Sequence, residues 1–135
     1  MEIERFGQFI KTKRLEAEVT LMELSEKMEI SVAYLSDIEN GRRKPMDSDK
    51  MEILIKELHL TSSERDRMYD LAGKERNEIS PDLVGYTMDS DVAPYIRTAL
   101  RKARENNATI KDWKRIINEL DKKNGGNSIA GIQLD

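Results

Sequence analysis

Two apolar-patterned segments too short to fold alone, 21–28 and 32–39, constrain this chain most. Thr20 is an N-cap residue with Glu23 three positions later, which is a capping box. Leu21, Leu24 and Met28 then recur at helical spacing. Ser31 opens the next segment, Leu35 and Ile38 fall on one face, and Gly41 is the expected stop. Isolated helices of this length are not stable in water. The two must therefore share a core, expected to hold Leu24, Met28, Ile30, Leu35 and Ile38. Ser25 is small where the second helix would cross the first.

The rest of the chain reads as helix as well. Ile3, Phe6 and Ile10 open a leading helix that ends near Ala17. Pro45 breaks the chain, and Ser48 or Asp49 is expected to cap a fourth helix carrying Met51, Leu54, Ile55 and Leu58. Thr61 and Glu64 form another capping box, starting a fifth helix through Met68, Leu71 and Ala72, with Gly73 as its expected stop. From 74 to 90 the pattern lapses. Asn77, Ser80-Pro81, Gly85 and Asp89-Ser90 suggest a linker or extended segment with some apolar surface at Leu83, Val84, Tyr86 and Met88. Asp91 is the expected cap of a helix with Pro94 in its first turn and Val92, Ile96, Ala99, Leu100 and Ala103 as its stripe. Asn106-Asn107 breaks it. Thr109, with Asp112, caps a last helix whose stripe is Ile110, Trp113, Ile116, Ile117 and Leu120. Two such stripes cannot bury themselves, so they are expected to pack on the first domain or on another copy, with Trp113 as a core or interface anchor. Asn124-Gly125-Gly126-Asn127 is the expected end of that helix and 128–135 a mobile tail.

The segment 13–41 resembles, without gaps, the helix-turn-helix of the Cro and phage-repressor (XRE-like) regulators, and a looser similarity runs from about Ile3 to Leu60. In that family an arginine late in the first helix pairs with a glutamate at the end of the recognition helix, and Arg14 and Glu39 occupy those places. The run Glu39-Asn40-Gly41-Arg42-Arg43-Lys44-Pro45 is similar to the family's exit from that helix. Two positions depart from the family pattern. Leu21 stands where a phosphate-holding glutamine is usual. Glu29 stands where the turn usually has glycine, and a left-handed non-glycine residue costs about 1 kcal/mol, so a slightly reshaped turn is expected.

The resemblance implies an all-α fold with a five-helix, lambda-repressor-like DNA-binding domain at 1–73, and the residue pattern adds a linker at 74–90, a C-terminal two-helix unit at 91–123 for packing or dimerisation, and a tail at 124–135. It implies double-stranded DNA as partner and no cofactor. Carried over by position, the base-facing residues are Val32, Ala33, Tyr34, Ser36 and Asp37. Val32 and Ala33 suit a thymine methyl and Asp37 a cytosine amino group, and few bidentate readers remain, so DNA shape should contribute. The phosphate-contacting set is Lys11, Lys13, Ser31, Asn40, Arg42, Arg43 and Lys44. The simplest function so implied is a sequence-specific transcriptional regulator, a repressor acting as a homodimer on an inverted-repeat operator. The alternative is an antitoxin-like or scaffold protein whose C-terminal helices hold a partner protein.

Charge argues partly against DNA. The formal net charge is -3, and the first sixty residues hold ten basic and thirteen acidic side chains, so the local field must decide. A basic face at Arg97, Arg101, Lys102 and Arg104 reads as solvated first and as a second DNA contact only second. Cysteine is absent from the sequence, which excludes a disulfide framework and suits a reducing cytoplasm. Glu2, Glu4 and Arg5 interrupt any apolar opening run, so neither a signal peptide nor a membrane location is expected. With one histidine, His59, no catalytic triad, phosphate loop or metal-ligand spacing emerges, and no enzymatic role is expected.

Overall fold

The computed structural model describes residues 4–123. Among them the fold is all-α, with no strand: α1 (Phe6–Glu16), α2 (Leu21–Met28), α3 (Val32–Glu39), α4 (Ser48–Glu57), α5 (Ser62–Arg76), a single 3-10 turn (Pro81–Leu83), α6 (Val84–Met88), α7 (Ala93–Glu105) and α8 (Ile110–Lys122). The chain divides into two compact units, 1–84 and 85–135. Ile3, the 124–127 helix end and the tail lie outside the described residues. None of the described helices is long and apolar enough to cross a membrane.

One core organises the first unit. Phe6, Phe9 and Ile10 of α1, Leu24 and Met28 of α2, Leu35 and Ile38 of α3, Met51 and Leu54 of α4, and Met68, Tyr69, Leu71 and Ala72 of α5 are all buried in it. Ile30 joins from the α2–α3 turn as a half-buried residue, and Ser25 is buried with its hydroxyl donating to the Met22 carbonyl. Gly7 sets the spacing of α1 and α3. A Cβ there would stand 2.2 Å from the Ile38 carbonyl oxygen and 2.7 Å from that of Glu39. Only a residue without a side chain lets α1 approach the end of α3 so closely.

Capping side chains start the helices much as the sequence suggests. Thr20 with Glu23, Thr61 with Glu64 and Thr109 with Asp112 form reciprocal capping boxes, and Ser31 Oγ accepts the Tyr34 N–H. Two caps differ from expectation. Asp47, not Ser48 or Asp49, caps α4, because its carboxylate accepts the Lys50 N–H and Ser48 becomes the first helical residue. At α7 the N-cap is Val92 without a side-chain bond, while Pro94 does sit in the first turn.

The helix ends are more uniform than their sequences. Six turns share one hydrogen-bond pattern, the Schellman motif, with a left-handed residue at its centre: Glu18, Glu29, Gly41, His59, Asn77 and Asn107. In each, the left-handed residue's N–H donates to the carbonyl three back, and the next N–H donates to the carbonyl five back, as Glu29 to Glu26 and Ile30 to Ser25. The residue after the centre often turns inward. Val19, Ile30 and Leu60 all pack on the core. Glu29 therefore keeps the regular left-handed geometry (φ 56°, ψ 42°) rather than reshaping the turn.

Gly73 does not stop α5. It is buried inside that helix, which continues to Arg76 and ends at Asn77. Its lack of a Cβ serves the returning chain, since a Cβ would meet the Glu78 carbonyl oxygen at 2.9 Å. The stretch 74–90 is accordingly not extended. It completes α5, folds back along it, with Ser80 Oγ donating to Asp70, and carries the 3-10 turn and α6.

In the second unit, Arg97 Nη1 donates to the Thr87 carbonyl at 2.7 Å, tying α7 to the end of α6. Within the second unit no residue of α8 is buried, and Ile110, Trp113, Ile116 and Leu120 are exposed.

Two substitutions test these backbone arguments by urea denaturation. Gly7→Ala should cost about 2–3 kcal/mol, because α1 must move off α3. Glu29→Gly should stabilise by about 0.5–1 kcal/mol by relieving the left-handed strain.

Candidate nucleic-acid interface

Every element of the first unit that touches α3 fixes its direction. Arg14 Nε donates to Glu39 Oε2 at 2.7 Å and Nη2 donates to Oε1 at 3.0 Å, a bidentate pair. Its side chains are only 8% and 3% exposed. The third guanidinium nitrogen, Nη1, donates to the Val19 carbonyl at 2.9 Å. One side chain thus ties together α1, the α1–α2 turn and the C-terminal end of α3. Among the described residues no buried side-chain polar atom lacks a partner, the condition under which a buried ion pair can be tolerated. At the other end of the motif, Lys50 Nζ donates to the Met28 carbonyl at 2.6 Å, placing a cation at the negative end of α2.

The chain leaving α3 is anchored as well. Arg76 reaches from α5 to donate to the carbonyls of Pro45, at 2.7 Å, and of Met46. Pro45 and Met46 are buried. Between Gly41 and these buried residues, Arg42, Arg43 and Lys44 are held out in solvent.

On the outer face of α3 Val32 and Ala33 are exposed, and Tyr34, Ser36 and Asp37 are half-buried. Tyr34 packs against the core from below, and the Arg43 guanidinium lies over its ring, 4.7 Å from the centroid. Asp37 sits between two arginines. Its Oδ1 is 3.7 Å from Arg42 Nε and its Oδ2 is 3.8 Å from Arg43 Nε. The structure thus brings Tyr34, Asp37, Arg42 and Arg43 into one cluster at the C-terminal half of α3. Ser31, Val32 and Ala33 lie at the N-terminal end, where a helix favours anions.

Lys11 and Lys44 are exposed and make no ion pair among the described residues. Lys13 does not join them. Its ammonium meets Glu64 at 2.6 Å and Glu16 at 3.2 Å, and it lies 5.6 Å from the Phe9 ring centre. The hydrogen bond with Glu64 raises the Lys13 pKa and lowers that of Glu64, so Lys13 braces α1 against the start of α5. Asn40 is also occupied. Its amide nitrogen donates to the Ser36 carbonyl at 2.9 Å and approaches Ser36 Oγ at 3.3 Å, closing the end of α3 while the residue stays exposed.

Sequence reasoning missed the two cations that hold the frame, Lys50 and Arg76, because their partners are backbone carbonyls more than twenty residues away. It also missed the Asp37–Arg42 contact, although Gly41 signalled it. A Schellman turn centred on Gly41 places residues 37 and 42 side by side.

Residues 5–68 match the helix-turn-helix domain family. No curated protein and no solved structure matches the chain. The first unit therefore carries a helix-turn-helix domain of the XRE and Cro-like kind, the DNA-binding module of transcriptional regulators.

The buried pair makes an asymmetric prediction. Glu39→Ala should cost about 3–5 kcal/mol by leaving Arg14 buried without its counter-ion, whereas the double change Arg14→Met, Glu39→Leu should cost clearly less. Urea midpoints of the two variants decide it.

Proposed function

We propose that this chain is a sequence-specific transcriptional repressor that binds an inverted-repeat operator as a homodimer in the cytoplasm, without enzymatic activity. What carries the reading is a short ridge, α3, fixed by buried ion pairing and flanked by exposed cations. Val32 and Ala33 pack on thymine methyl groups, and Asp37 accepts from a cytosine amino group. Ser36 adds a hydroxyl. Tyr34 acts beneath them as a platform for Arg43. Lys11, Ser31, Arg42, Arg43 and Lys44 supply the phosphate contacts that set register. With few bidentate readers on α3, groove shape supplies part of the discrimination.

Residues 1–73 carry this DNA contact, and 91–123 hold two copies together. The exposed stripe of α8, Ile110, Trp113, Ile116 and Leu120, supports that role. Pairing two copies would set the recognition helices about 34 Å apart, one turn of duplex. The same stripe supports a second reading, in which a partner protein, as in an antitoxin, occupies α7 and α8 while the first unit binds the promoter.

Selection of duplexes from a random pool tests the proposal. An inverted repeat with half-sites about ten base pairs apart should be enriched. Neutralising Arg42, Arg43 and Lys44 together should weaken binding to every duplex and reduce the salt slope of binding by about two to three. A pool without enrichment counts against sequence-specific binding, and a chain that passes through heparin and DNA columns unretained favours the partner-protein reading.

A further inference from the structure

The cluster at the end of α3 has a property that neither base readout nor phosphate contact requires. We infer that Asp37 is an internal competitor for Arg42 and Arg43, setting the contrast between operator and random DNA; this rests on the DNA-binding reading above.

Geometry sets up the competition. Gly41 takes φ +77° and closes a turn in which the Arg42 N–H donates to the Asp37 carbonyl at 2.8 Å. That turn always sets its third-from-last helical residue beside the residue that follows its centre. In the turns centred on Glu18, Glu29 and His59 the residue after the centre is Val19, Ile30 or Leu60, each packed on the core. Here the two positions hold Asp37 and Arg42, a carboxylate and a guanidinium in solvent. Arg43 follows, stacked on Tyr34 and within 3.8 Å of the other carboxylate oxygen. Both arginines thus have a carboxylate where a phosphate would otherwise sit, and Asp37 is the one acid in ion-pair range of either among the described residues.

A phosphate that takes either arginine competes with Asp37 for its charge, and it leaves that carboxylate facing a polyanion. On random DNA nothing offsets the exchange. Where a cytosine amino group lies opposite Asp37, the carboxylate gains a donor as it loses the arginines. Phosphate grip and base identity are then coupled through one side chain, and exposed ion pairs are weak enough to exchange freely.

The test uses the full chain, a random-sequence duplex and the duplex recovered by selection, with anisotropy read across a salt series. The variants are Asp37→Asn, the pair Arg42→Ala and Arg43→Ala, and all three together. Asp37→Asn should tighten random-duplex binding about three- to tenfold, steepen its salt slope by about one to two, and lower the selected-to-random ratio. On the arginine-free background the gain should largely vanish. An unchanged random-duplex affinity, with loss confined to the selected duplex, overturns the inference and leaves Asp37 a simple reader. An equal gain without the arginines overturns it too, as general charge removal. If no form of the chain binds either duplex at low salt, the DNA-binding reading itself falls, an outcome separate from both.

Discussion

A single buried guanidinium sets the geometry on which the rest of the first unit depends. Arg14 makes three hydrogen bonds, two to Glu39 and one to the Val19 carbonyl, and so joins the first helix, the turn after it and the far end of α3. Apolar packing at Leu35 and Ile38 holds α3 to the core, but packing alone is non-directional. The planar fork of an arginine against a carboxylate is directional, because both donors must lie in one plane with both oxygens. Gly7 complements it by letting α1 come within contact of the α3 carbonyls at the same place. Rotation of α3 would break the fork and collide with α1 together.

The second constraint is electrostatic. Residues 1–84 contain 14 basic and 19 acidic side chains, so this unit is no general polycation. Several acids are paired locally, Glu39 with Arg14, Glu64 with Lys13, Glu75 with Arg5 and Glu4 with Arg67, which leaves the acidic excess unchanged. Arg42, Arg43 and Lys44 expose three cations in succession after α3, while Lys11, Lys27, Lys56 and Lys74 are exposed singly. Under the proposed function, this balance weakens the grip on random duplex and leaves more to contacts that depend on shape and sequence.

Most helix starts were legible in the sequence, and helix ends less evenly, for one physical reason. Caps at Thr20, Ser31, Thr61 and Thr109 depend on side chains that few other residues can replace. The ends depend on a backbone conformation that glycine eases but does not monopolise, and here five of six left-handed centres are Glu, His or Asn. Reading Gly73 as a stop failed because its missing side chain admits a neighbouring strand of chain, not a turn. The Arg14 and Glu39 positions came through resemblance, since nothing in local spacing links residues twenty-five apart. Lys13 and Asn40 show the converse limit. Both sit at plausible phosphate positions, yet each has a partner inside the protein that only the fold reveals.

Amide chemical shifts during titration with a short duplex test most directly whether α3 is the surface that meets DNA. Shifts should concentrate on 31–37 and 41–44, with smaller ones at Lys11, while the amides of Leu54 and Met68 in the core stay still. Saturable shifts centred elsewhere, with 31–37 unmoved, would contradict the claim that the buried fork exists to aim this helix.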